Sequence, residues 1–189
     1  MLKNTQPFHQ VLDNGLILKS ISTEEEIERL AAFNVSIHQE EILAGMTRAL
    51  ILHHPSTHPK EWLFVEDPAN GKIVSSLCLL PWTLRYETVE LKAGEMGIVG
   101  TLPEYRNRGL IRSLDHRFQQ LLDSDSYVLS HIEGIPYYYK QFGYEYALPL
   151  ESGWELELHN MPDESSQATE KFTFRQATVD DIPALDQFY

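Results

Sequence analysis

The first third of the chain shows two helix-like patterns after a short strand-like run. Residues 16–22 are mainly apolar and predict a strand. Thr23 is followed by three glutamates, the composition of a helix start, and Ile27 and Leu30 begin an apolar stripe at helical spacing. Apolar residues recur at that spacing over residues 40–53, which predicts a second helix.

The middle of the chain changes to the pattern of strands. Two apolar runs, residues 61–66 and 72–83, flank the pair Asn70-Gly71. Because this pair tolerates the positive φ angles of a tight two-residue turn, we expect a β-hairpin here. A further strand is expected over residues 95–101.

The second half returns to alternating elements. Apolar residues between 110 and 122 fall on one face of a helix that is expected to start near Gly109. A strand over residues 127–132, a short helix over 136–142 and a closing strand over 152–158 complete the pattern. The order of elements predicts a mixed α/β domain with hairpins.

Composition narrows the classes of function. The chain has 189 residues, a formal net charge of -13 and a single cysteine, and it has no apolar run long enough for a membrane span. We therefore expect a cytoplasmic protein that uses neither a membrane nor a nucleic acid as partner. An anionic ligand would need a local reversal of charge.

The C-terminal part suggests an internal repeat. Residues 160–171 contain almost nothing that could enter a core and are expected to be a linker. After this linker, five residues match five residues of the first helix at one constant offset, namely Thr178, Asp181, Ile182, Leu185 and Phe188 with Thr23, Glu26, Ile27, Leu30 and Phe33. The prediction is one domain over residues 1–159 and the start of a second, truncated copy over 172–189. A chance amphipathic helix is the alternative.

Positive charge is concentrated where the strand at 95–101 gives way to the next helix. Arg106, Arg108 and Arg112 lie within seven positions, and Gly109 lets the backbone approach a ligand without a Cβ in the way. The unpaired N–H groups of a helix N-terminus attract anions, so this segment suits a pyrophosphate. A glycine-containing turn with solvated arginines is the competing interpretation.

Two glycines interrupt the preceding strand. Gly97 and Gly100 lie in an apolar run, where glycine marks a bulge or the close approach of a ligand. A bulge frees main-chain N–H and C=O groups, which could bind an extended ligand that contains amides. We expect this strand to line a binding groove.

These residues carry a family resemblance. The run from Leu102 to Ile111 resembles the acyl-CoA signature of GNAT acetyltransferases, in which strand four ends in a proline and is followed by [Q/R]-x-x-G-x-[G/A]. Arg106 and Gly109 match the signature, whereas Ile111 stands where the family usually has Gly or Ala. The Arg-Gly-Leu-aliphatic version is similar to multi-domain GNAT proteins of the enhanced intracellular survival type, whose chains carry a second GNAT domain.

A second motif resembles the same family and implies catalytic residues. Residues 137–144 resemble the late GNAT segment Y-x-x-[FL]-G-[FY], and Tyr139, four residues before Gly143, has the position of the general-acid tyrosine. Glu95 precedes Arg106 by eleven residues, the spacing at which some members place a glutamate base. An exposed strand-end acid is the alternative for Glu95, because the similar subgroup uses a carboxylate from a distant domain.

The resemblance implies a GNAT fold, a mostly antiparallel twisted sheet that is splayed after strand four and has helices on both faces. It implies transfer of acetyl from acetyl-CoA to a small-molecule or peptide amine, and homo-oligomers occur among relatives. Acetyl-CoA would be bound by Ile98, Val99, Gly100, Thr101, Arg106, Asn107, Arg108, Gly109, Leu110 and Ile111.

Two other kinds of protein would share part of this pattern. A non-catalytic acyl-CoA-binding or regulatory domain would keep the groove and lack a base, and an unrelated α/β domain would share only the turn. No metal is expected, because His53, His54 and His58 lack helical i, i+4 spacing and a cysteine partner.

Overall fold

The structure is a computed structural model that describes residues 7–148, 157, 159 and 173–185. The chain divides into two compact units, Met1–Leu148 and Pro149–Tyr189, and each is described by itself. The predicted linker and the predicted closing strand, apart from residue 157, lie outside the described residues.

The first unit is built on one sheet whose strands lie side by side in chain order. Neighbouring strands are antiparallel, except for the last pair, which is parallel. The six strands found among the described residues are β1 (His9–Val11), β2 (Ile17–Ser20), β3 (Trp62–Asp67), β4 (Lys72–Tyr86), β5 (Val89–Thr101) and β6 (Leu129–His131).

Helices cover both faces of this sheet, as predicted. They are α1 (Glu24–His38), α2 (Ile42–His53) and α3 (Leu110–Ser124). Strand alternation directs Trp62 and Phe64 toward a core shared with α1, whereas Leu63 and Val65 enter a core shared with α3. Each fully buried side chain of this size contributes about 1.5–3 kcal/mol. No helix among the described residues has the length and apolarity to cross a membrane.

The predicted start of α1 is confirmed in detail. Thr23 Oγ1 accepts a hydrogen bond from the Glu26 main-chain N–H at 3.1 Å, and Glu26 Oε2 accepts one from the Thr23 N–H at 3.2 Å. Lys19 on β2 forms an ion pair with Glu26 at 2.6 Å. The beginning of the helix is therefore fixed to the neighbouring strand.

Several sequence-based boundaries were wrong. The β3–β4 turn has four residues, 68–71, because Asp67 pairs directly with Lys72. The two-residue turn lies instead between β4 and β5, where Glu87 adopts a φ of 53°. β5 consequently begins at Val89 and not at residue 95, and β6 is shorter than the predicted 127–132.

The described part of the second unit contains the 3-10 turn Val179–Asp181 and the short helix α4 (Ile182–Leu185). Asp181 Oδ2 accepts from the Thr178 main-chain N–H at 2.8 Å, as Glu26 accepts from Thr23. This local likeness is in keeping with the predicted repeat, which stays a prediction.

A buried carboxyl group lies at the start of β3. The Glu61 side chain is 4% exposed, and its Oε2 accepts from the His58 main-chain N–H at 2.6 Å. Loss of water around the carboxylate raises the pKa of Glu61 from 4.5 to about 7. In this range the folded state holds the proton more tightly than the unfolded state does, so deprotonation destabilises the fold.

We expect the variant Glu61→Gln to change the pH dependence of the free energy of unfolding. Glutamine can still accept from His58 but does not titrate, so the stability of the variant relative to the wild type should rise between pH 4.5 and about 7. Above that window the gain should level off at no more than about 3 kcal/mol. Urea unfolding of both proteins across pH 4–8 measures this difference in the free energy of unfolding. A difference that does not change with pH would contradict the prediction.

Candidate active site

The bulge expected from the glycines of β5 is present. Cys78 of β4 pairs with Gly97 of β5, and Ser76 pairs with Gly100. Ile98 and Val99 of β5 therefore lie opposite the single residue Leu77 of β4. Ile98 has a φ of 47°, in the left-handed region that is unusual for a β-branched residue. A bulge leaves main-chain groups of one residue outside the ladder, where a ligand can reach them.

The sheet opens beside this bulge. β5 and β6 pair only from Ala93 to Glu95 on the β5 side, and β6 ends at His131. Beyond these pairs the strands part, and a cleft of about 510 Å³ forms between them. The cleft is lined by Glu95, the bulge residues and Tyr139, so the two candidate catalytic residues share one cavity.

Tyr139 belongs to the 3-10 helix Tyr138–Phe142, which lies within the short helix expected over residues 136–142. Its ring contacts the rings of Tyr138, Phe142 and Tyr144, and any Cβ at position 134 would collide with it, so Gly134 is required there. Burial raises the pKa of Tyr139 to about 12. The hydroxyl is therefore protonated at neutral pH and can donate a proton.

Glu95 lies at the last pair of β5 with β6. Its Oε2 accepts a hydrogen bond from Trp82 Nε1 at 2.7 Å, and none of the described residues donates to Oε1. No ion pair among the described residues involves Glu95, nor Glu40 and Glu133, which also line the cleft. These carboxylates make this part of the cleft favourable for a cation.

The segment after β5 supplies main-chain donors. Asn107 and Gly109 have φ angles of 60° and 74°, and α3 begins at Leu110. The main-chain N–H groups of residues 107–112 find no acceptor among the described residues. Six amides are thus available at the N-terminus of a fifteen-residue helix, which is an arrangement that binds phosphate oxygens.

Neutral groups orient the three arginines of this segment. Arg106 Nε donates to the Thr101 carbonyl at 3.4 Å, and Arg112 donates to Gln141 at 3.3 Å. Arg108 donates to the Glu104 carbonyl at 2.9 Å and lies over the Tyr105 ring at 4.8 Å. None of the ion pairs found within the described ranges involves these guanidinium groups, so their charge is available to an anion.

The side chains of several other predicted ligand-binding residues contact protein neighbours. The Leu110 and Ile111 side chains are buried in the core with α3, so only their main-chain N–H groups face outward. This explains why a large residue is accommodated at 111, where the signature usually has Gly or Ala. Gly100 packs against Ile37 of α1, and Thr101 Oγ1 is hydrogen-bonded to Ser75 Oγ at 2.8 Å.

Sequence reasoning missed three residues near the cleft. His38 and Glu40 line it from the end of α1, and Trp82 of β4 donates a hydrogen bond to Glu95. None belongs to a motif, because each reaches the site through the packing of a distant element. Within the described ranges, no three His, Cys, Asp or Glu side chains are grouped as metal ligands would be.

Comparisons with known proteins agree with the predicted fold. Residues 18–147 match the sequence model of a family described as "Acetyltransferase (GNAT) domain". A search of curated protein sequences returns no significant match.

Three solved structures illustrate the likeness. A probable N-acyltransferase from Enterococcus faecalis has a TM-score of 0.58 and 19% identity over 69% of this chain and 32% of its own. Eis1 from Mycobacterium abscessus has a TM-score of 0.54 and 15% identity over 68% of this chain and 30% of its own. AAC(6')-Iy, in complex with the bisubstrate analog CoA-S-monomethyl-acetylneamine, has a TM-score of 0.55 and 9% identity over 75% of this chain and 98% of its own.

The present chain spans about a third of the length of the Enterococcus and Mycobacterium proteins. At these identities the structural likeness demonstrates the fold, and the family match supports the acyltransferase class. On the match over residues 18–147 together with the splayed, bulged sheet, the chain belongs to the GNAT acetyltransferase family.

Proposed function

We propose that this protein transfers acetyl from acetyl-CoA to a primary amine by direct attack, with Tyr139 as general acid. The observation that carries the proposal is the meeting of three features at one end of the sheet. These are the free amides of residues 107–112, the bulge at Ile98 and a cleft that contains Tyr139.

The Arg106 main-chain N–H donates to the Pro103 carbonyl at 3.3 Å, so the amides expected to hold the pyrophosphate of CoA shift from residues 106–111 to residues 107–112, with the arginines beside them. In a chain with a net charge of -13, an anion needs such a local group of cations and helix N–H donors. Among the described residues the guanidinium groups form no ion pair within 4 Å, so binding would break none there. Cofactor use therefore fits the residues present.

The bulged part of β5 would bind the pantetheine arm along Ile98–Thr101. This arm contains two amides and resembles an extended peptide, which an interrupted strand edge can bind. A main-chain N–H at the bulge would donate to the thioester oxygen as negative charge develops on it.

The proposed chemistry needs one base and one acid. Glu95 would take a proton from the ammonium of the acceptor, directly or through water, and the amine nitrogen would then attack the thioester carbon. As the carbon–sulfur bond breaks, Tyr139 would donate its proton to the thiolate. The acylated nitrogen would release its extra proton to solvent, and Tyr139 would recover a proton from solvent, which leaves a neutral amide and a neutral thiol. Because burial raises the pKa of Tyr139 to about 12, the hydroxyl carries its proton at neutral pH, and the negative charge that develops on the sulfur would draw that proton across.

The acceptor is proposed to be a small-molecule amine that carries positive charge. Glu40, Glu95 and Glu133 line the cleft without cationic partners among the described residues. The AAC(6')-Iy structure, solved with the bisubstrate analog CoA-S-monomethyl-acetylneamine, is in keeping with a small-molecule acceptor. A cytoplasmic location, where acetyl-CoA is made and used, is part of the proposal.

The variant Tyr139→Phe should lower kcat by roughly a hundredfold, because it removes the proton donor and keeps the ring packing. Affinity for CoA should stay nearly unchanged, since the hydroxyl takes no part in holding the pyrophosphate. Release of thiol from acetyl-CoA, measured with a panel of amines, gives kcat, and calorimetry gives the affinity.

Tyr138→Phe is the matched control for this experiment, because Tyr138 is adjacent and does not line the cleft. It should retain wild-type turnover. Equal activity of wild type and Tyr139→Phe would remove Tyr139 from the mechanism. Binding of CoA without thiol release for any amine would favour a non-catalytic acyl-CoA-binding domain.

The variant Arg106→Gln should weaken CoA binding roughly threefold to tenfold at low salt, because it removes one exposed charge beside the free amides. The difference should shrink as salt rises, since screening weakens exposed charges first. Arg85→Gln, on the far β4–β5 hairpin, is the control and should bind CoA normally. The rise in melting temperature on adding CoA is a quick first measurement, and no rise for the wild type would contradict the proposed site.

A further inference from the structure

We infer that Trp82 is a positioning residue for Glu95, whose indole N–H fixes one carboxylate oxygen and leaves the other for the amine acceptor. The inference rests on the proposed function, in which Glu95 is the base. Trp82 belongs to no motif and lines a separate cavity with Glu90 and Lys92, and its link to the cleft is the hydrogen bond to Glu95.

The geometry follows from the register of three strands. Trp82 of β4 pairs with Ala93 of β5, and Glu95 follows two residues later on the same face of the sheet. This diagonal relation brings long side chains on neighbouring strands into contact. Trp82 Nε1 lies 2.7 Å from Glu95 Oε2, at the short end of the range for a hydrogen bond to a charged acceptor.

A third residue, His131, packs against the indole. The His131 ring meets the Trp82 ring edge-on, with centroids 6.1 Å apart and an interplanar angle of 63°. His131 on β6 is also the register partner of Glu95. The three side chains therefore span β4, β5 and β6 at the last pair before β5 and β6 part.

The exposure of Trp82 is hard to explain by core packing. Its side chain is 47% exposed, although a large aromatic residue gains most from full burial. Phenylalanine would supply the same contact with His131, but only an indole brings an N–H, which is a donor and never an acceptor. The feature specific to tryptophan is therefore the hydrogen bond to Glu95.

Orientation of the carboxylate matters for the proposed proton transfer. A glutamate side chain has several rotamers, and a base that points away from the amine for most of the time is a poor base. The bond to Oε2 restricts the group, whereas Oε1 has no donor among the described residues. Loss of such an orienting bond in an otherwise intact site lowers turnover by roughly tenfold.

The contact itself can be tested without turnover. In the ¹⁵N-labelled 189-residue protein, the indole N–H signal that disappears in Trp82→Phe belongs to Trp82. In Glu95→Gln this signal should move upfield, because a neutral amide oxygen is a weaker acceptor than a carboxylate. Glu87→Gln in the exposed turn of the same hairpin lines neither cavity, so it is the control and should leave the signal in place. A signal that Glu95→Gln does not move would overturn the inference.

The role can be tested with a double-mutant cycle. Thiol release from acetyl-CoA is measured with butylamine, spermidine and a lysine-containing peptide, and the best of these amines is used for wild type, Trp82→Phe, Glu95→Gln and the double variant. Trp82→Phe should lower kcat roughly tenfold in the wild type and have no further effect when Glu95 is absent. The KM for acetyl-CoA should not change, and Tyr86→Phe, at the exposed tip of β4, should behave as wild type.

A merely structural role for Trp82 predicts a different result. Trp82→Phe would then lower kcat by the same factor whether or not Glu95 is present, and that result would overturn the inference. An unchanged kcat in Trp82→Phe would overturn it as well. Failure of the proposed function is distinguishable from both outcomes. In that case the wild type itself releases no thiol with any of the three amines, and the roles proposed for Glu95 and Trp82 are both rejected.

Discussion

The parting of β5 from β6 after Glu95 is the constraint on which the candidate site depends. A continuous sheet would pair every main-chain group of β5 and would leave no room beside it. Two features prevent this: β6 stops at His131, and the bulge at Ile98 interrupts the pairing of β5 with β4. Main-chain groups thereby face a cleft that both strands still support rigidly from one end.

Opposite charges divide the neighbourhood of this cleft. Carboxylates such as Glu95 and Glu133 line the cavity, whereas Arg106 and Arg108 flank the free amides at the start of α3. Neither group is neutralised by an ion pair among the described residues. An anion at one end and a cation at the other can be attracted at the same time, which suits a reaction between two oppositely charged substrates.

The sequence predicted the elements that local chemistry determines and missed those that depend on pairing. The helix start at Thr23 and the amide-rich segment before α3 were predicted, because caps and glycine positions act over a few residues. The short strand β1 was missed, and the tight turn at Glu87 carries no glycine or asparagine signal at that position. Trp82 could not be recognised, since its relation to Glu95 arises from the strand register.

The parallel pairing of β5 with β6 has a topological consequence. Parallel neighbours need a crossover connection, and here α3 provides it, so the chain leaves both strands at the same end of the sheet. The free amides of residues 107–112 follow β5, and the 3-10 helix Tyr138–Phe142 follows β6, so both lie at that end of the sheet. Residues 125–128 link α3 to β6 at the opposite end, where Asp125 forms an ion pair with Lys60 and the Tyr127 ring lies under Lys92. That end therefore anchors the crossover, while both segments of the candidate site lie at the other end.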